Sequence, residues 1–404
     1  MNLIKDLPNI KINNQTLYSD DVFQDSINHF AWFHNHKIKT KECSVDDIKS
    51  NPNERYYFIH FISFVDFNHV VELYNSKNPF SKKIKELLNL KNFRLIFLDV
   101  HESHNYDIVD NLFKSFDNKE KILFINNDYN LKNKKIKTIK SNFLVKNSIN
   151  GYYAIYRQLY FDSISKKDWN FNKRDFMFLC KNKQSTKPHR WFTLCLLKKY
   201  DLCDKCNYSC LIKPLDFPVQ HHKFNKEIFP NFHLNETKFF ESTSFPKYTE
   251  NEKDFNYNSL LESNYNFAGE LQLEDYKNSY INITTESVYF DEMIHITEKS
   301  FKPFFLFQLP LFVASKGHVS ILKNKLNLDL FDDFINHDYD SEEDDTLRLK
   351  LVIEELVRLS KLENEIIQFL NTNIDRFENN IKKLENWKSD SSDEDDAIES
   401  ILNF

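Results

Sequence analysis

"FRLIFLDVHESHNYDIVDNLFKSFDNKEKILFINND", residues 93–128, reads as strand, helix, strand. Residues 93–100 form a buried strand, 105–116 a helix and 121–128 a second strand, the signature of parallel strands joined by a crossover helix. The same alternation extends outward. "RYYFIHFISF" (55–64) is a strand and "NPFSKKIKELLNL" (78–90) a helix on one side; "YYAIYRQLYFDSI" (152–164) is a helix on the other, followed by a polar linker at 165–175. A second alternating unit begins with the strand "FMFLC" (176–180). The amphipathic helix "HRWFTLCLLKKYDL" (189–202) follows, entered through Pro188. "YINITTES" (280–287) and "PLFVAS" (310–315) are further strands, and residues 346–387 give two or three helices. The first 50 residues are irregular, and 234–256 is polar and loop-like. The pattern predicts an α/β protein with mostly parallel sheets: an N-terminal domain at 1–168, a second at 169–345, closing helices at 346–388 and an acidic tail at 389–404.

With 404 residues, 41% of them hydrophobic, the chain can bury two cores. Its 39 Phe and 19 Tyr against 3 Gly read as the coding bias of an AT-rich genome, viral or compact microbial. Gly151, Gly269 and Gly317 stand too far apart for a glycine-rich phosphate loop. The net charge of −6 argues against a general nucleic-acid coat, although eight lysines fall between Lys119 and Lys146. That run is either a solvated face or an anion site. The acidic runs 338–345 and 389–399 read as solvated loop and tail. No apolar leader or membrane span is evident, so the expectation is a cytoplasmic protein, in the host cytoplasm if viral. "CDKCNYSC" spaces Cys203, Cys206 and Cys210 like metal ligands, but no second pair completes the set, leaving free thiols as the main reading.

In an open parallel sheet, ligands sit beyond the carboxyl ends of the strands. Three polar clusters fall there. "CKNKQSTKPHR" carries Lys181, Lys183, Lys187 and Arg190 around a helix N-terminus, an arrangement suited to a diphosphate. "NITTES" ends in Glu286 and Ser287, where a carboxylate can take sugar or ribose hydroxyls. "HITEKSFKPFF" places Thr297, Glu298 and Lys299 at the mouth of a phenylalanine-rich segment. Thr297 can cap a helix whose start Pro303 must kink or shift. A cation in a first helical turn is unfavourable unless an anion is near. Lys299 facing a phosphate and Glu298 a sugar hydroxyl would satisfy that condition; a mutual ion pair at a core edge is the plainer alternative.

"TTESVYFDEMIHITEKSFKPFFLFQLPLFV" (284–313) with "HVSILKNKLNLDLFDDFINHDYD" (318–340) resembles the donor-binding half of GT-B glycosyltransferases of the α1,3-fucosyltransferase type. It looks similar to their phage and viral relatives. "FLCKNKQSTKPHRWFTLCLLKKYDL" (178–202) resembles the same family's strand, basic loop and His-Arg helix. The likeness covers roughly residues 175–385, with Thr-Glu-Lys-x-x-Lys-Pro its most specific part. It implies two Rossmann-like domains and a GDP- or UDP-linked nucleotide-diphospho-sugar as co-substrate. Arg190 and Lys299 would lie on the pyrophosphate, Glu298 on the ribose and Glu286 beside the transferred sugar. Thr285-Glu286-Ser287 stands where the family has Phe-Glu-Asn-Ser, so the identity of the sugar stays open.

An inverting enzyme of this type needs a base on the acceptor hydroxyl, and "FLDVHESHNYD" offers Glu102 first and Asp99 second. No Asp-x-Asp motif follows a strand, so cations are expected to do the electrostatic work without metal. The acceptor would be a saccharide or another hydroxyl compound. A viral enzyme glycosylating modified DNA bases, and a catalytically inactive binding module of the same fold, are the rival readings.

Overall fold

The computed structural model describes residues 2–4, 11–12, 15–16, 41–61, 67–75, 79–99, 106–130, 136–142, 146, 173–182, 187–210, 273–290, 293–390, 399–400 and 403–404. The chain forms two compact units, Met1–Leu144 with Ser391–Phe404, and Val145–Asp390. The expected boundary at 168/169 and the helix expected at 152–164 lie outside the described residues.

The first unit holds a six-stranded sheet. Its strands are β1 (Asn2–Ile4), β4 (Lys41–Cys43), β5 (Tyr56–Phe61), β6 (Phe93–Asp99), β7 (Ile122–Asn126) and β8 (Lys137–Lys140), in the order β4-β1-β5-β6-β7-β8 and all parallel. Two further strands, β2 (Lys11–Ile12) and β3 (Gln15–Thr16), pair antiparallel. Alternate residues Phe93, Leu95 and Phe97 pack with Ile122 and Phe124 against four helices: α1 (Val45–Ser50), α2 (Phe67–Asn75), α3 (Pro79–Leu88) and α4 (Tyr106–Lys114). The intervening Ile96, Leu98, Leu123 and Ile125 are buried too. Burial on both faces is why these strands read as continuous apolar runs. Part of the lysine run forms the edge strand β8, where Lys137 is exposed; edge lysines discourage pairing with another chain. The C-terminal residue is held rather than frayed: Arg94 Nε donates to the Phe404 carbonyl at 2.8 Å.

The second unit holds a four-stranded parallel sheet in the order β10-β9-β11-β12. Its strands are β9 (Phe176–Asn182), β10 (Cys206–Cys210), β11 (Ser279–Thr285) and β12 (Leu309–Val313). Helix α5 (Pro188–Lys199) links β9 to β10, and α6 (Leu273–Lys277) leads into β11. The short α7 (Lys302–Phe305) precedes β12, and α8 (His318–Asn324) follows it. Helices α9 (Asp345–Leu359), α10 (Glu363–Thr372) and α11 (Ile374–Ser389) close the unit, α9 packing on α5 and α11 on α7. The amphipathic helix expected at 189–202 is instead buried on every side from His189 to Leu197, because α9 covers it.

Two helices end in a left-handed residue that is not glycine. Asp201 (φ 55) follows α5, with Leu202 N–H donating to the Leu197 carbonyl. Phe307 (φ 52) follows α7, with Gln308 N–H donating to the Pro303 carbonyl. These are the five-residue-back bonds of a Schellman cap, a position that glycine normally fills. The acidic run 338–345 also has structural duties: the Asp340 carboxylate accepts from Val319 and Ser320 N–H, and Asp344 caps α9. Cys206 lies buried in β10 and Cys203 half-buried before it, their thiols pushed up by burial. Among the described residues no group of three His, Cys, Asp or Glu could hold a metal ion. Nor is any described helix long and apolar enough to cross a membrane.

A candidate anion site at the strand switch point

In the second sheet the chain passes from β9 outward to β10 on one side, and from β11 outward to β12 on the other. The order therefore reverses between β9 and β11, and their carboxyl ends form the crevice where doubly wound sheets hold ligands. Asn182 ends β9 and Thr285 ends β11; Thr285 Oγ1 donates to Asn182 Oδ1 across the gap.

Glu286, one residue beyond β11, is fully buried at 0% exposure. Oε1 accepts from Ser300 Oγ at 2.5 Å and from Thr297 N–H at 3.3 Å. Oε2 accepts from Thr297 Oγ1 at 2.7 Å and from Ser287 N–H at 3.3 Å. Burial pushes the carboxyl up, but Lys299, His318 and the hydroxyls of Ser300 and Thr297 outweigh it and hold it down at about 2.

The Thr297-Glu298-Lys299 knot folds over this carboxylate. Thr297 caps a 3-10 turn at Glu298–Ser300, and Pro303 shifts the α-helical start to Lys302, the second of the two outcomes the sequence allows. Thr297 Oγ1, already a donor to Glu286, accepts from Lys299 N–H and from Lys299 Nζ, both at 3.3 Å. Lys299 Nζ also pairs with Glu298 Oε1 at 3.4 Å, its side chain one-third exposed; Lys302 Nζ reaches the same oxygen at 4.0 Å. Burial pushes Lys302 down to about 8 against the pull of Glu298. Ser300 Oγ has a single hydrogen, which goes to Glu286, so His318 Nε2 at 2.9 Å must be the donor to it. His318 Nδ1, on the other side of the ring, is buried with no hydrogen-bond partner among the described residues.

Glu286, Ser287, Thr297, Glu298, Lys299 and Arg190 thus gather at one strand end, but two of them do not face a ligand as the family likeness implies. The Glu286 oxygens are enclosed by protein donors, so the carboxylate is not open to a sugar hydroxyl. Arg190 is buried, donating to the Thr285 and Glu286 carbonyls at 3.4 and 3.3 Å, and so braces the strand end. Lys187 Nζ donates to the Ser287 carbonyl at 2.8 Å, and Lys181 is tied to Asp275 at 2.7 Å. Lys183, Glu102 and the Asp99 side chain lie outside the described residues. The sequence reading missed Ser300 and His318, as well as the role of His189. The His189 Nε2 donates to the Glu286 carbonyl at 2.8 Å, while its ring stacks on Tyr289 at 5.1 Å. The His-Arg pair opening α5 was the one available signal for it.

The depressed Glu286 carboxyl makes a stability prediction. A lowered folded-state value contributes stability that is complete above the ordinary carboxyl range and lost as pH falls through about 2. The stability difference between wild type and Glu286→Gln should be flat above roughly pH 5 and shrink steadily below it, in denaturant titrations run from pH 7 to 2. A difference that stays constant down to pH 2.5 would contradict this electrostatic account.

Compared with protein-family models, curated proteins and solved structures, the chain matches none, so its function has to be argued from this arrangement of residues.

Proposed function

We propose that the second unit binds a nucleotide-diphospho-sugar, GDP- or UDP-linked, and that the chain is a GT-B glycosyltransferase of the α1,3-fucosyltransferase-like type. The observation that carries this reading is the Lys299 ammonium, part-exposed and anchored over a buried carboxylate at the switch point of a parallel sheet. A fixed cation there suits a diphosphate leaving group, and Glu298 beside it suits a ribose hydroxyl. In the reaction a general base, for which the sequence offers Glu102 or Asp99, accepts the proton of the acceptor hydroxyl as its oxygen attacks the anomeric carbon. The bond from that carbon to the diphosphate breaks on the opposite face, inverting the centre, and Lys299 stabilises the departing charge. Arg190 and Glu286 act through the groups they hold. The acceptor is a saccharide or another hydroxyl compound.

A calorimetric and thermal-shift screen against GDP-, UDP-, CMP- and dTDP-linked sugars tests the reading. A GDP- or UDP-sugar should bind and raise the melting temperature, whereas silence across the panel would leave no donor site to defend. Turnover of the donor so identified should survive EDTA, because the proposed donor site is built on a lysine cation and no Asp-x-Asp motif follows a strand in the sequence. Abolition by chelator with rescue by Mn²⁺ would overturn that expectation.

A further inference from the structure

The buried acid is the least expected member of the cluster, since an ionised carboxylate with no exposure is costly unless its neighbours satisfy it completely. Its satisfaction runs outward in one direction. Thr297 Oγ1 gives its only hydrogen to Glu286, which leaves its lone pairs to the Lys299 backbone N–H and ammonium. On the far side, Ser300 gives its hydrogen to Glu286 and thereby forces His318 Nε2 to donate. Both hydroxyls are therefore oriented by the one carboxylate.

An ammonium has three hydrogens. For Lys299, one points to Thr297 Oγ1 at 3.3 Å and one towards Glu298 Oε1 at 3.4 Å. The third has no acceptor among the described residues, on a side chain that is 34% exposed. A free lysine is a flexible point charge, and pinning it before binding lowers the entropy lost when an anion arrives.

We infer that Glu286 is a positioning residue: through the Thr297 hydroxyl it holds the Lys299 ammonium with one hydrogen directed outward, making it a preset receptor for one oxyanion of a diphosphate. The inference rests on the proposed donor site and deepens it, replacing a sugar contact for Glu286 with an action at one remove. Thr297→Val is the decisive substitution, because it keeps both charges and the side-chain shape but cuts the link between them. Thr297→Ser restores the hydroxyl.

The experiment is isothermal calorimetry of inorganic pyrophosphate on the full-length chain, for wild type, Thr297→Val, Thr297→Ser, Glu286→Gln, Lys299→Ala and the Thr297→Val/Lys299→Ala double variant. Melting temperatures are recorded alongside. Thr297→Val should weaken pyrophosphate binding by about threefold to tenfold, Thr297→Ser should restore most of it, and the double variant should bind no worse than Lys299→Ala alone. If Glu286→Gln fails to fold, the valine and serine variants still decide. A Thr297→Val variant that melts lower but binds pyrophosphate like wild type would reduce the network to packing and overturn the inference. Additive losses in the double variant, or a wild type with no pyrophosphate affinity, would overturn it equally. Failure of the glycosyltransferase reading looks different: pyrophosphate behaves as expected through the series, but no nucleotide sugar binds.

Discussion

Replacing Arg348 with methionine should destabilise the second unit by about 3–5 kcal/mol, the usual result of deleting one partner from a buried charged network. The guanidinium is almost fully buried. It donates to the Ala314 carbonyl at 3.3 Å, the Glu342 carbonyl at 3.0 Å and the Tyr289 carbonyl at 2.8 Å, and pairs with Asp345. Its plane lies over the Tyr289 ring at 4.6 Å. Methionine replaces the volume but none of the donors, so three carbonyls, two of them in buried bonds, lose the guanidinium. For a unit of this size the melting temperature should fall on the order of 6–20 °C. The loss also reaches the candidate site, because Tyr289 carries the His189 ring that supports the Glu286 carbonyl. A variant melting within about 2 °C of wild type would mean that the carbonyls find other donors.

Lys299→Ala should weaken GDP and UDP binding by about tenfold to a hundredfold, since a charge-assisted contact to phosphate is worth roughly 1.5–3 kcal/mol. Its effect on the ligand-free protein corrects what the sequence suggests. A lysine in a first helical turn, taken alone, should be better removed. In the structure its anion is already present, in the buried Glu286 and the mostly buried Glu298, and the lysine is the largest charge holding both carboxyls down. Removing it should therefore lower the melting temperature as well. The two readouts separate the explanations: a lower melting temperature with unchanged GDP and UDP affinity would make Lys299 a core-edge ion pair and end the donor-site assignment.

Much of the fold is legible in the sequence where burial on both faces writes a long apolar run. The strands at 93–99, 122–126, 279–285 and 309–313 and the C-terminal helices lie close to where the alternation puts them. The elements it misses are short or polar. The three-residue strands β1 and β4 are too brief to show a period, β8 is written "KTIK", and β10 is written "CNYSC", which resembles a ligand spacing more than a strand. The site is half legible for a related reason. Strand ends mark Glu286 and the Thr297–Lys299 knot, but local sequence cannot say that an acid after a strand will be sealed from water. That depends on the Thr297–Ser300 turn closing over it, and on β12 carrying His318 back beneath Ser300.

The corner at Phe307 ties backbone geometry to aromatic packing. A left-handed phenylalanine costs about 1–2 kcal/mol relative to glycine, and in a chain with only three glycines the strain is held from outside. The Phe307 ring packs on Phe377 at 5.5 Å, and its carbonyl accepts from Arg174 Nη2 at 3.3 Å. Substitution of Phe307 by glycine would relax the backbone and open a void against α11 in the same step, so the two effects oppose each other. Positions 307 and 377 should therefore be epistatic: a smaller residue at 307 becomes acceptable only after 377 has grown to fill the space.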